Sequence, residues 1–370
     1  MSGQVRTKAL HAISTPTPVD GFRSSHPIGA FEQLPKWLNL VPMVAQWLWL
    51  GLRHRSLTLP STVNPGITSG GLVGEGKQEY FAAMGPLARA ATAPHLLVRV
   101  GAEDPARILE RMLEAGLAFP LVAKPDLGWC GYGVRLLADA VDLQRYLRSY
   151  PAREDLILQR YLAAPGEAGL FYMRHPDAPR GELIGVLLRH FPRVVGDGRQ
   201  TIAELVGSDG RLARTTRGAQ HECRYEALSI PARGEVVRLS LIGSTRVGGL
   251  YEDGSDLINP ALTERVEAIA RDMGPFHVGR FDVRYTDRDS LSRGDFTIME
   301  VNGAGSEAVH AWDPKYSISD VYRIVFAKQR RLFAIGAAMR RSGHRPIGVA
   351  QLARLHLRQQ RLMRSYPPSN

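Results

Sequence analysis

The chain has 370 residues, of which 44% are apolar and 22% charged, which is enough for two or three domains with buried cores. This composition excludes a wholly disordered chain, and no apolar run reaches the ~18 residues that a membrane-spanning helix needs. The net charge of +11 leaves an interaction with an anionic partner open. Two cysteines, Cys130 and Cys223, are too few for a disulfide framework or an all-cysteine zinc site. Because residues 1–10 lack the apolar stretch of a secretion signal, we expect a reduced, cytoplasmic protein.

The positive charge is concentrated near the end of the sequence. Residues 321–370 contain eleven basic residues and no acidic one. This segment is either an arm that contacts nucleic acid or an anionic membrane, or a solvated helix, and we favour the helix. Nucleic acid is therefore not an expected partner, whereas peripheral membrane contact through the basic C-terminus stays open.

An apolar segment stands out in the first hundred residues. Residues 1–30 are rich in Ser, Pro, Gly and His, which is typical of poorly ordered chain. Residues 37–52 carry three tryptophans beside Lys36 and Arg53. This segment is either a helix buried against the next domain or a segment at a membrane interface. Pro42 predicts that it is not one unbroken helix.

Helix and strand signals alternate from about residue 104. Asp104 and Pro105 begin a predicted helix that ends at Gly116. Further helices are expected at 139–149, after the capping box that starts at Thr201, and between 259 and 274. Strands are expected at 119–123, 156–160, 170–174 and 182–190. The connections are too short for many parallel crossovers, so the predicted fold class is α+β with mainly antiparallel sheet.

A first glycine-rich loop, residues 71–77, has the spacing of a P-loop up to Lys77. Gln78 follows, however, where the hydroxyl residue that holds magnesium would stand. A turn rather than a strand precedes the loop, so we expect no true P-loop. A loop that contacts substrate remains an alternative.

A second glycine-rich loop leaves a buried strand at Lys124. It turns through Gly128, Gly131 and Gly133 before the next strand. A lysine beside exposed backbone N–H groups suits a polyphosphate. The alternative is a glycine-rich hairpin with a surface lysine.

Two later strands bring acidic side chains together. Residues 277–285 and 296–302 both alternate like strands. If they pair symmetrically about Leu291, Asp282 falls opposite Glu300. Like charges placed opposite each other destabilise a strand pair, so a bound cation is the natural explanation.

The oxygens on this hairpin suit magnesium. Asn302 shares a face with Glu300, so two carboxylates and an amide oxygen would converge. Mg²⁺ prefers such oxygens, completed by nucleotide phosphates. The alternative is that the acids diverge or pair with the nearby arginines, Arg280 and Arg284.

The order of these features resembles the ATP-grasp superfamily. Its elements are the Lys124-Pro loop, the strand end 158–162, Glu167, Gly-Arg-Phe-Asp282 and Met-Glu300-Val-Asn302. The resemblance covers about residues 100–318; within the superfamily the chain resembles carboxylate–amine ligases, including D-alanine–D-alanine ligase, and most closely poorly characterised bacterial ATP-grasp proteins. Residues 195–205 are similar to a stretch of cyanophycin synthetases and glutamate-adding ligases. Residues 64–65 and 302–310 resemble segments of poorly characterised bacterial ATP-grasp proteins.

The resemblance implies an ATP-grasp fold, in which two α+β subdomains grip ATP. The lid subdomain would span residues 101–165, and the C-terminal subdomain with the metal site would span 166–330. An N-terminal segment with the apolar helix and the first glycine-rich loop, 1–100, would precede them. A basic helical C-terminal tail, 331–370, would follow.

The resemblance also implies roles for the matched residues. ATP phosphates would be held by Lys124 and by the lid glycines Gly128, Gly131 and Gly133. Adenine would bind a hinge of Gln159, Arg160, Tyr161 and Leu162, and the ribose would bind Glu167. Two Mg²⁺ ions, or Mn²⁺, would be bound by Asp282, Glu300 and Asn302. Arg280 would stabilise the phosphoryl group as it moves to a small carboxylate, and an amine or amino acid would then attack the acyl phosphate.

This sequence departs from the superfamily in two places. No lysine lies between Lys77 and Lys124, where one commonly precedes the lid, so Arg99 is a candidate substitute although arginine and lysine are not equivalent. Gln159 stands where an acidic residue is frequent, which leaves the preference for adenine open.

The acceptor site and the activity itself have alternatives. Arg246 and His310 are candidates for the carboxylate pocket, with an ordinary loop arginine and a core histidine as the other interpretations. The alternative function is an ATP-binding, membrane-peripheral sensor or assembly factor that keeps the fold without ligation.

Overall fold

The computed structural model describes residues 27–219 and 227–369. Cys223 and most of residues 1–30, for which the sequence predicts little order, lie outside the described residues. Across those two described ranges, no helix has both the length and the apolar character needed to cross a membrane.

The chain forms short helices and antiparallel strands in mixed order. The helices are α1 (Ala30–Gln33), α2 (Lys36–Arg53), α3 (Lys77–Ala83), α4 (Pro86–Ala90), α5 (Pro105–Glu114), α6 (Ala140–Ser149), α7 (Ile202–Ser208), α8 (Gly210–Ala219), α9 (Pro260–Asp272), α10 (Arg288–Ser292), α11 (Ile318–Arg341) and α12 (Val349–Ser365). The strands are β1 (His95–Arg99), β2 (Leu121–Pro125), β3 (Arg135–Leu137), β4 (Asp155–Arg160), β5 (Gly166–Met173), β6 (Glu182–His190), β7 (Arg193–Val195), β8 (Val236–Arg238), β9 (Leu250–Asp253), β10 (Val278–Tyr285) and β11 (Thr297–Asn302).

The first large sheet has four strands in the order β1-β4-β2-β3, with every pair antiparallel. Helices α5 and α6 cover it, because their apolar faces meet the inward side chains of the sheet. Ile108 and Met112 of α5 and Leu143 and Tyr146 of α6 are buried in this core. Asp104 caps α5 by accepting a hydrogen bond from the backbone of Arg107, as the sequence predicts.

The second large sheet has five strands in the order β11-β10-β5-β6-β9, again antiparallel throughout. Helix α9 packs on one face through Leu262, Val266 and Ile269. The opposite face of the central strands carries charged side chains. The antiparallel sheets with helices packed against them confirm the predicted α+β class.

Helix α2 is continuous, so the prediction that Pro42 interrupts it is wrong. A proline inside a helix removes one hydrogen bond, here to the carbonyl of Leu38. Packing on α11 holds the helix together: the Trp47 ring lies 5.0 Å from that of Phe333, and Gln46 donates to the carbonyl of Phe326.

The basic C-terminal residues belong to two packed helices. Helix α11 buries Leu332, Phe333 and Ile335 against the rest of the chain. Three of the arginines pair with acids elsewhere: Arg331 with Glu182, Arg341 with Asp177, and Arg358 with Glu154. Within the part that the structure describes, this segment therefore lies against the protein and does not project as an arm.

Other differences from the sequence prediction are local. The strand expected at 119–123 lies at Leu121–Pro125, and the one expected at 170–174 begins already at Gly166. The polar connection 286–295 contains the short helix α10, capped by Asp287.

Candidate active site

The two large sheets meet at Lys124. From the end of β2, its Nζ donates to Gln159 Oε1 on β4 at 2.8 Å and to the carbonyl of Met299 on β11 at 2.7 Å. The side chain is buried, and this burial lowers the pKa of Lys124 to about 8. Lys124 is thus a buried lysine held at the junction of the two sheets.

The acidic hairpin has the predicted register. Asp282 of β10 lies opposite Glu300 of β11, and Arg280 lies opposite Asn302. A bulge follows Asp282, so the strands pair with a shifted register beyond it. The predicted register of Asp282 against Glu300 is confirmed, and Asp282 also pairs with Arg280, as the alternative interpretation expected.

Asp282 is the centre of a buried charge network. Arg280 forms a two-pronged pair with it, at 2.7 and 2.8 Å, and Arg189 of β6 lies 3.3 Å away. The amide of Asn302 donates to its Oδ2 at 3.0 Å. Burial alone would raise the pKa of Asp282, but the two guanidinium groups outweigh it and lower that pKa.

A row of charges runs across the sheet beside Asp282. Glu167 of β5 lies between Arg189 on one neighbouring strand and Arg284 on the other. It accepts from Arg189 at 2.9 Å and pairs with Arg284 at 3.3 Å. Gly169 makes room for this network, because a Cβ there would lie 2.9 Å from Cδ of Arg280.

Lys77 reaches the same site from the N-terminal segment. Its Nζ lies 3.6 Å from Glu300 Oε1, donates to the carbonyl of Asp126 at 3.2 Å, and would lie 3.2 Å from a Cβ at Gly128. The first glycine-rich loop is therefore part of the site without being a P-loop. Arg99, the candidate to replace the missing lysine, is exposed and pairs with Asp155 at 3.6 Å instead.

The second glycine-rich loop, residues 126–134, turns tightly through left-handed backbone conformations. Cys130, Gly131 and Gly133 have φ values of 50°, 76° and 73°. Arg246 donates from Nε to the carbonyl of Cys130 at 3.3 Å, so it contacts the lid. Tyr366, just after α12, donates to the carbonyl of Leu127 at 2.6 Å. This loop, the predicted lid, is thus hydrogen-bonded at two points by later parts of the chain.

The residues predicted to form the adenine-binding hinge, 159–162, lie between the two large sheets. Gln159 and Arg160 end β4, and Tyr161 and Leu162 lead into β5. The Gln159 side chain accepts a hydrogen bond from Lys124 at Oε1 and donates one from Nε2 to the carbonyl of Ala93 at 3.3 Å. The backbone N–H of Arg160 is bonded to the carbonyl of Pro94.

His310 is a core histidine in the structure. It is buried, and its ring lies 4.9 Å from that of Phe171. Burial lowers its pKa to about 4, so the imidazole is neutral near pH 7. A neutral histidine offers no charge to a carboxylate.

Sequence reasoning missed two contributors to the site. The glycine–lysine spacing of residues 71–77 singles out Lys77, but no sequence pattern indicates its long-range contact with Glu300. Arg189 lies at the end of a predicted strand, and nothing in the sequence names Glu167 and Asp282 as its partners.

The donor set fits magnesium in its chemistry. Asp282, Glu300 and Asn302 offer oxygens from neighbouring strands, and Mg²⁺ uses one or two carboxylates together with substrate phosphates. Within residues 27–219 and 227–369, no group of three or more His, Cys, Asp or Glu side chains is placed to hold a metal ion. Phosphate oxygens would therefore have to complete the coordination.

Two curated proteins that are similar to this chain are both cyanophycin synthetases. No family model matches the chain. Cyanophycin synthetases of Trichormus variabilis and of a Nostoc species are each 24% identical over 300 residues, which cover 74% of this chain and 31% of the relative. The chain is similar to ATP-grasp ligases. It spans about a third of the length of these curated relatives.

Solved structures of ligases are also similar to this ATP-grasp-like chain. One is a bifunctional glutathione synthetase from Pasteurella multocida, with 18% identity, coverage of 68% of this chain and 36% of that one, and a TM-score of 0.35. D-alanine–D-alanine ligase from Bacillus anthracis has 15% identity, coverage of 72% and 71%, and a TM-score of 0.39. The same ligase complexed with ATP has 14% identity, coverage of 70% and 66%, and a TM-score of 0.35.

Proposed function

We propose that this ATP-grasp-like protein is an ATP- and Mg²⁺-dependent ligase that joins a carboxylate to an amine through an acyl phosphate. The observation that carries the proposal is the convergence of Lys124, Asp282 and Glu300 at the junction of the two sheets. A buried lysine and opposed carboxylates form a site for a polyphosphate and its metal.

The reaction has two balanced steps. A carboxylate oxygen of the substrate attacks the γ-phosphorus of ATP, the bond from that phosphorus to the bridging oxygen breaks, and ADP leaves with the electron pair. The amine nitrogen then attacks the acyl carbon and loses a proton to solvent. The bond from that carbon to the phosphate oxygen breaks, and phosphate leaves.

Four residues of the chain have proposed roles in the first step. Lys124 and Lys77 bind phosphate oxygens, and Gln159 positions Lys124 through its 2.8 Å hydrogen bond. Arg280 stabilises the transferring phosphoryl group from beside Asp282. Mg²⁺, when bound, neutralises charge on the phosphates.

The nucleotide and the lid have further proposed contacts. Adenine binds along Arg160 to Leu162, and Glu167 accepts from the ribose, since a carboxylate has lone pairs beyond those used by two arginines. The backbone of Gly128, Gly131 and Gly133 closes over the phosphates. Arg246 contacts this lid through the carbonyl of Cys130 and remains a candidate for the carboxylate pocket.

Hydroxylamine in place of the amine tests the proposal, because it converts an acyl phosphate to a stable hydroxamate. A panel of carboxylates with Mg·ATP should give ADP and hydroxamate in equal amounts. Glu300→Gln should abolish both products, whereas Glu264→Gln, which changes an exposed carboxylate on α9, should not. Hydroxamate formation that Glu300→Gln leaves unchanged would contradict the metal assignment.

A second candidate function rests on the outer face of α2. Trp37, Trp49 and Leu52 are 68%, 50% and 77% exposed, and Arg53 lies 5.4 Å from the Trp49 ring. Exposed tryptophans beside a basic residue suit a membrane interface, so a cytoplasmic, membrane-peripheral sensor or assembly factor is the alternative.

Vesicle co-sedimentation separates the second candidate from the first. Vesicles of phosphatidylcholine and phosphatidylserine should bind the protein if α2 is interfacial. A Trp37→Ser, Trp49→Ser double variant should then lose binding, while Leu113→Ser, which changes an exposed leucine on α5, should keep it. Equal binding by both variants would remove α2 as the anchor.

A further inference from the structure

A cavity of about 230 Å³ lies between α2, α11 and the loop that follows β11. Its walls are mainly apolar and include Met43, Trp47, Trp312 and Leu332. Lys328 of α11 also lines it. The cavity is therefore a hydrophobic space with a cation in its wall.

Lys328 is buried and forms no close ion pair within the described ranges. It is 9% exposed, and its Nζ likewise makes no hydrogen bond in that part of the chain. Its Nζ lies 5.8 Å from the centroid of the Phe171 ring, a cation–π distance. The acid on the cavity wall, Glu307, attracts Lys328 at longer range, but it is exposed and forms no close ion pair with it. A buried charge without a partner costs free energy, so its presence here points to an anionic ligand.

The cavity adjoins the proposed phosphoryl-transfer site. The Phe171 ring that contacts Lys328 also lies 5.7 Å from the guanidinium carbon of Arg280. Arg280 in turn holds Asp282. The loop lining the cavity, residues 304–308, starts two residues after Asn302. Lys328 and Arg280 thus pack near the same ring, which places the cavity next to the residue assigned to the γ-phosphate.

We propose that this cavity binds the carboxylate substrate, and that this substrate is amphiphilic, with its carboxylate held near Lys328 and an aliphatic or aromatic tail against the apolar walls. The inference rests on the proposed function and names its substrate class. Leu40 and Val44 of α2 line the cavity and are half exposed, so the tail enters beside the exposed apolar face of that helix. A strongly polar substrate would leave hydrogen-bonding groups unpaired against these walls.

Octanoate is the probe, and the fluorescence of Trp47 and Trp312 reports its binding without ATP. We expect saturable quenching by octanoate. Octylamine has the same tail with the opposite charge, and acetate has the charge without the tail, so each should bind at least about tenfold more weakly. No saturable change with octanoate, or equal binding of octylamine, would overturn the proposal.

Matched variants locate the site. Lys328→Met should weaken octanoate binding at least about tenfold, whereas Arg330→Met, which removes an exposed cation from the same helix, should not. Val44→Asp places a negative charge on the cavity wall and should weaken octanoate, while Val41→Asp, on the same helix outside the cavity, should have little effect. Octanoate affinity that neither cavity variant changes would overturn the proposal.

The test separates this inference from the ligase proposal. If the protein forms hydroxamate from other carboxylates but does not bind octanoate, the cavity assignment is contradicted and the ligase proposal is not. Octanoate binding that depends on Lys328, in a protein that forms no hydroxamate, would support the cavity and count against ligation.

Discussion

Lys77 Nζ lies 3.6 Å from Glu300 Oε1 and thereby joins the N-terminal glycine-rich loop to the last strand of the larger sheet. Both side chains stand beside the lid, since a Cβ at Gly128 would be 3.2 Å from the lysine. The loop that resembles a P-loop only in spacing thus supplies a cation to the proposed phosphate site.

Lys77→Met is expected to weaken Mg·ATP binding by about tenfold, because it removes a charge-assisted contact to phosphate. Calorimetric titration with ATP measures the change. The matched control is Arg99→Met, which removes the cation that the sequence alone would place at this position. If Arg99→Met weakens binding and Lys77→Met does not, the assignment of Lys77 is wrong.

Arg280→Ala is expected to slow phosphoryl transfer roughly 10²- to 10³-fold, the usual loss for one preorganised donor at a developing charge. Single-turnover ADP formation isolates this step from product release. Arg293→Ala, an exposed arginine between β10 and β11, is the control. A full-speed Arg280→Ala protein would exclude the role given to Arg280.

Gly169→Ala is expected to disturb the charge network, because its Cβ would lie 2.9 Å from Cδ of Arg280 and 3.2 Å from Oδ1 of Asp282. We expect lower stability together with reduced ADP formation. Gly66→Ala is the matched control, since nothing lies within 4 Å of a Cβ there. Identical urea midpoints and rates for both variants would show that the network tolerates the methyl group.

Lys328→Met is expected to stabilise the protein. Burial lowers the pKa of Lys328 to about 7 from an ordinary 10.5, so the unfolded chain binds the extra proton between these pH values. The folded wild type is therefore penalised at pH 7, and that penalty shrinks as the pH rises toward 10.5. At about 1.4 kcal/mol per pKa unit, the variant should gain on the order of 4 kcal/mol in free energy of unfolding at pH 7.

Urea denaturation at pH 7 and pH 10 measures this gain. A stability that rises while octanoate binding falls is the signature of a residue kept for a ligand. A variant that is less stable than the wild type at pH 7 would instead give Lys328 a structural role.

The sequence predicts best what is local. The register of Asp282 against Glu300 follows from period two and one short connection, and helix α9 follows from its cap at Asn259. Contacts such as Arg189 with Glu167 or Tyr366 with the lid join distant segments, and no local pattern specifies them. Pro42 failed as a helix breaker because packing against α11 outweighs one lost hydrogen bond.

The most direct test of the account is calorimetric titration of ATP, with and without Mg²⁺, into the wild type and Glu300→Gln. The account predicts Mg²⁺-dependent binding in the wild type that weakens at least about tenfold in the variant, which keeps the size of the side chain and loses its charge. ATP binding of equal strength in both proteins, or none in the wild type, would contradict it.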